Sequence, residues 1–161
     1  MFCGFLLSLN LHASQLDTLY QEMTTLKKND SLQSYQLSNL NNESVTLNHS
    51  GKPVLISVFT TWCGVFKVEL KDLNDIYHSW SDQDRPFDVV VVNAGESVKS
   101  VSKYKRRRQL DLPILIDHDL SFIKDINALG TPTLLLFDKK NKLVFQGSEL
   151  PKEWLMSQKK E

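Results

Sequence analysis

Cysteine is nearly absent from this chain. Only Cys3 and Cys63 occur in 161 residues, and position 66, where a Cys-x-x-Cys pair would place its second thiol, is Phe66. An internal disulfide of that kind is therefore excluded. One-sided charge is missing too: Lys+Arg and Asp+Glu both number 19, for a formal net charge of +0. Nothing draws the whole chain toward nucleic acid or an anionic membrane. The four histidines (His12, His49, His78 and His118) show no ligand spacing with Cys63, so neither a metal site nor another cofactor is expected. There is no internal repeat or low-complexity linker, and the length suits one domain with its own core.

Long hydrophobic runs are also lacking near the start. Phe2–Leu11 holds about ten mostly apolar residues, too few for a membrane span but suited to a signal-peptide core. Ala13 and Ser14 supply small residues near a cleavage point. On this reading residues 1–14 are a signal peptide, and the mature chain is exported with no integral membrane span and Cys63 as its one cysteine. No Lys or Arg precedes the run, and a first strand or helix of the fold is the alternative.

Residues 15–31 form a polar segment with scattered apolar positions, where a short helix is expected. The folded domain is expected over 32–161. Tyr35–Ser38 and Ser44–Leu47 alternate in period 2 about Asn41-Asn42, the pattern of a β-hairpin. Val54–Phe59 is an unbroken apolar run suited to a sheet centre. Phe66, Leu70, Leu73, Tyr77 and Trp80 then recur at helical spacing. Further on, the pattern predicts a strand at 87–92, a helix from Val98 to the basic run 105–108, and a strand at 112–116. Leu120, Ile123 and Ile126 mark a helix ending at Gly130. A closing hairpin, 133–137 and 143–146, and a helix opening at Pro151 complete the order. Alternating strands and helices imply an α/β fold, a central mixed sheet flanked by helices with an N-terminal hairpin extension.

Cys63 stands where the apolar strand gives way to the helix, in Thr61-Trp62-Cys63-Gly64. The free N–H groups and dipole at a helix N-terminus favour a thiolate, the reactive form of the side chain. The plainer alternative is an inert, buried cysteine. Downstream, Gly130-Thr131-Pro132-Thr133 opens another apolar strand.

The segment Thr61–Leu70 resembles the active-site segment of the TlpA/ResA branch of thioredoxin-like proteins, exported thiol–disulfide oxidoreductases. The hairpin, the spacing to Gly130-Thr131-Pro132 and the closing 136–144 stretch are similar to that branch, over roughly residues 32–156. The resemblance implies a thioredoxin-like fold with Cys63 as nucleophile. It implies a cis Pro132 facing the thiol, with Thr131 exposed to an incoming peptide, and a carboxylate, Glu69, beneath the site to trade protons with the thiol. Trp62 and Gly64 are expected to line the substrate groove with Thr131. For Trp62 the alternative is a core aromatic; for Glu69, a solvated helix residue; for Pro132, an ordinary trans proline. The basic run 105–108 reads as a solvated helix end rather than a nucleic-acid patch.

Phe66 departs from the branch, since it cannot attack a mixed disulfide. The expected function is thiol–disulfide exchange through Cys63 alone, on exported proteins' thiols or disulfides, with the cycle closed by an outside thiol. The alternative is a redox-inactive peptide-binding module on a thioredoxin scaffold. A peroxidatic thiol ranks last, because Ile56 replaces the upstream proline that peroxiredoxins carry. Oligomeric state is not legible in the chain.

Overall fold

The computed structural model describes residues 26–64, 66–128 and 130–158. The expected signal peptide, and most of the polar segment before residue 31, lie outside the described residues. Among the described residues, seven strands form one sheet: β1 (Tyr35–Asn39), β2 (Ser44–Leu47), β3 (Val54–Phe59), β4 (Asp88–Asn93), β5 (Ile114–Ile116), β6 (Thr133–Phe137) and β7 (Leu143–Gly147). Their order across the sheet is β2-β1-β5-β4-β3-β6-β7. Among the described residues, four helices accompany them: α1 (Phe66–His78), α2 (Val98–Arg108), α3 (Ser121–Asp125) and α4 (Lys152–Ser157). This is the mixed sheet with flanking helices and an N-terminal hairpin that the sequence pattern predicts.

β3 is central because every side chain it carries is apolar or small, and all six of its residues are buried. A strand covered on both faces has no reason to alternate. Leu55 and Phe59 point into a core shared with Leu70 and Leu73 of α1, Val101 and Tyr104 of α2, and Leu155 of α4. Val54, Ile56 and Val58 point the other way, toward Phe122 of α3 and Leu37 and Leu47 of the hairpin. Each fully buried side chain of this kind contributes about 1.5–3 kcal/mol.

Pairing fixes which loops meet. β4 runs parallel to β3 with Asn93 opposite Phe59. β6 runs antiparallel to β3 with Thr133 opposite Val58. The exits of β3 and β4 and the start of β6 therefore converge at one end of the sheet, where α/β proteins place their sites.

Three elements are shorter than their apolar pattern suggests, α1 by ending at His78, before Trp80. The strand predicted at 112–116 keeps only 114–116, since Pro113 has no N–H for the ladder, although its carbonyl still takes the Val91 N–H at 3.0 Å. The helix predicted to reach Gly130 stops at Asp125. Asn127 adopts a left-handed φ of 46°, and Leu120 enters the helix at φ 60°. The buried Asp117 carboxylate takes the Ile123 N–H at 2.9 Å, and the α3 turn is organised around that acceptor. Burial holds the Asp117 carboxyl above its usual range.

The described part of the polar segment forms a turn rather than a helix. Asn29 and Asp30 exchange backbone bonds with Leu143, and Asn141 bonds both backbone groups of Leu32. The outer edge of β7 is thereby partly covered. Among the described residues no helix is long and apolar enough to cross a membrane.

Candidate functional site

Cys63 sits one turn past the end of β3. Its backbone N–H closes a turn on the Thr60 carbonyl at 3.3 Å, and α1 begins three residues later. The side chain is half-buried against the core that holds Phe59 and Tyr104. The S–H donates to the Thr131 carbonyl at 3.2 Å. The Thr131–Pro132 peptide bond is cis. Thr60 and Thr131 share a hydroxyl contact at 3.3 Å, and the Thr133 hydroxyl donates to the Gly130 carbonyl at 2.8 Å. The two segments that the sequence singles out, sixty-odd residues apart, are thus bonded across the end of the sheet.

Trp62 is not a core aromatic: it is 75% exposed, and Val68 on the first turns of α1 is 68% exposed. Both are large apolar side chains left in solvent near Cys63. Gly64 lies exposed next to the thiol, and an added Cβ would meet nothing within 4 Å.

Glu69 points elsewhere. Its carboxylate accepts the Leu150 N–H at 2.9 Å and fixes the loop before α4. Burial, then the nearby Glu149 and Asp72, raise its carboxyl above the ordinary value, while the Leu150 bond and Lys152 oppose them. Among the described residues no hydrogen bond joins Glu69 to Cys63.

A different carboxylate holds the site, and the sequence reading passed over it. Glu96 accepts the Thr61 N–H at 2.7 Å and the Thr61 hydroxyl at 2.6 Å, one on each oxygen. The Asn93 amide donates to the same carboxylate at 2.7 Å, and Asn93 in turn accepts the Glu96 N–H at 2.9 Å. Gly95, at φ 73°, lets the chain fold back so that this clamp closes. Charge-assisted bonds of this length are about twice as strong as neutral ones. The signal was present: Asn93 and Glu96 are polar residues at the end of a strand whose middle four residues are all valine, beside β3.

Tyr104 belongs to the core against which Cys63 packs, its ring 6.0 Å from that of Phe59. Burial is the main reason its phenol is raised; Arg108 and Arg107 pull it back, and the Cys63 thiol adds to the rise. Arg108 lies over the ring at 5.7 Å. Of the basic run, Lys105 is half-buried and donates to the Leu112 carbonyl at 2.8 Å, with burial lowering its ammonium group.

Residues 28–146 match the AhpC/TSA family. The chain belongs to that family. A thiol-disulfide oxidoreductase ResA from Geobacillus kaustophilus is 27% identical over 125 residues, covering 77% of this chain and 71% of that protein. The sporulation thiol-disulfide oxidoreductase A of Bacillus subtilis is 23% identical over 110 residues, 68% of this chain and 67% of that one. The crystal structure of StoA from Bacillus subtilis superposes with a TM-score of 0.66 at 19% identity, covering 80% of this chain and 98% of the other. The fold is thioredoxin-like, as the resemblance implied.

Proposed function

We propose that this chain exchanges protein thiols and disulfides through Cys63 alone, and that it acts on exported proteins. The observation that carries the reading is the placement of the Cys63 sulfur, 3.2 Å from the Thr131 carbonyl and next to an exposed Trp62. The names of the relatives, thiol-disulfide oxidoreductases, support the same chemistry. In the step proposed, the Cys63 thiolate attacks one sulfur of a partner disulfide. A Cys63–partner disulfide forms, the partner's sulfur–sulfur bond breaks, and the second partner sulfur leaves as a thiolate. Trp62, Gly64, Thr131 and Pro132 line the groove that receives the partner. Glu69, whose carboxyl holds its proton more tightly than usual, steadies the start of α4 instead of touching the sulfur.

A second reading, a peptide-binding module without redox turnover, draws on the bare apolar pair Trp62 and Val68. A disulfide-bonded model peptide decides between them. Wild type should capture half of the peptide as an adduct that resists non-reducing electrophoresis, and Cys63→Ser should capture none. If reduced wild type forms no adduct yet binds the peptide reversibly, the binding module is the correct reading.

A further inference from the structure

The mixed disulfide needs a second thiol to resolve it, and Cys63 is the only cysteine among the described residues. A cleft of about 300 Å³ lies between α1 and α2, on the flank of the site. Lys67, Lys71, Arg107 and Arg108 line it, with Tyr104 among its walls. The one carboxylate in the lining, Asp75, is already in an ion pair with Lys71. Lys67 and Arg107 have no carboxylate partner among the described residues, so the cleft keeps an excess of positive charge.

Its place ties it to the sulfur. Lys67 is four residues after Cys63, and its N–H reaches the Gly64 carbonyl at 3.4 Å. Tyr104 belongs both to the cleft wall and to the core against which Cys63 packs. The volume suits a small molecule rather than a protein segment. A tripeptide-sized thiol is about 10 Å long when fully extended, and Lys67 begins the cation row one helical turn from the Cys63 segment.

We infer that this cleft binds a small anionic thiol, of peptide size and bearing carboxylates, as the co-reactant that resolves the Cys63 adduct. The inference rests on the exchange reading above. In the step, the thiolate of the small molecule attacks the partner's sulfur in the mixed disulfide. A disulfide between partner and small thiol forms, and the electron pair of the broken bond returns to Cys63 as thiolate. No other oxidant or reductant enters.

The test compares thiols of different charge on a preformed Cys63–peptide adduct. Glutathione, anionic, should release the adduct faster than neutral mercaptoethanol after correction for their thiolate fractions. The ratio of the two rates should fall about fivefold in Lys67→Gln/Arg107→Gln and again in high salt. An unchanged ratio overturns the inference. S-methylglutathione, which cannot exchange, separates this failure from failure of the exchange reading. Saturable shifts at Lys67 and Arg107 in an NMR titration are expected, and their absence overturns the cleft even where exchange proceeds. If S-methylglutathione binds but no thiol of any charge releases the adduct, the exchange reading fails and the co-reactant role fails with it. If an acidic peptide without sulfur saturates the cleft and glutathione shows no charge advantage, the cleft belongs to a partner protein and the inference is overturned.

Discussion

Two carboxylates flank the Cys63 segment, and they do different work. Glu96 reaches in from the exit of β4 and takes three donors, two from Thr61 and one from Asn93. Glu69, on the helix that follows the thiol, takes one donor, the Leu150 N–H, and faces α4. The residue nearer in sequence bonds to the approach of α4, and the more distant one bonds to the Cys63 segment. The side chains of α1 radiate around its axis, and that of Glu69 meets the Leu150 N–H on the α4 side. Parallel neighbouring strands instead deliver their exits side by side, and that brings Glu96 to the thiol's doorstep.

Removing Glu96 should therefore cost most. Glu96→Ala leaves the Thr61 and Asn93 donors without their acceptor, and we expect a loss of about 3 kcal/mol in chemical denaturation. The segment holding Trp62 and Cys63 then drifts, and capture of a peptide disulfide should slow at least roughly tenfold. Thr61→Val deletes one bond of the clamp and keeps the shape. Its expected cost is about 1.5 kcal/mol, with capture slowed less than in Glu96→Ala. An equal effect from Glu69→Ala on capture would erase the contrast between the two carboxylates.

Glu69 should show itself in the pH profile. Its folded carboxyl holds a proton above the ordinary value of 4.5, so the folded state binds more protons than the unfolded chain just above that pH. The associated stability is complete below the unfolded value and is lost as pH rises through the raised one. Wild type should thus lose stability relative to Glu69→Gln over that acidic window, read by thermal unfolding at successive pH values. A profile of the same slope for both proteins contradicts the assignment. The size of the difference should be the smallest of these effects, because the side chain is partly in water.

Much of this arrangement is legible in the sequence. The all-apolar β3, the Asn-Asn turn of the hairpin and the period of α1 each obey one local rule, and the structure follows them. Cys63 and Thr131-Pro132 were found together because the pattern around them is specific, although their contact is long-range. Three features escaped. The early end of α3 depends on Asp117, a buried acceptor whose partners only the fold supplies. The Glu96 clamp depends on β4 lying beside β3, a pairing no single segment encodes. The cleft collects Lys67 from one helix and Arg107 and Arg108 from another, and in the chain the latter two read only as a solvated helix end.

The central claim is that Cys63 works without a resolving thiol. The direct measurement is the lifetime of its adduct with a peptide disulfide, followed by mass spectrometry after free thiols are removed. The wild-type adduct should persist on the minutes-to-hours scale of uncatalysed disulfide rearrangement, and glutathione should discharge it. Phe66→Cys recreates the Cys-x-x-Cys spacing, and its adduct should clear far faster and leave an internal disulfide. A wild-type adduct that decays as fast as that of Phe66→Cys, with no thiol present, would contradict the account.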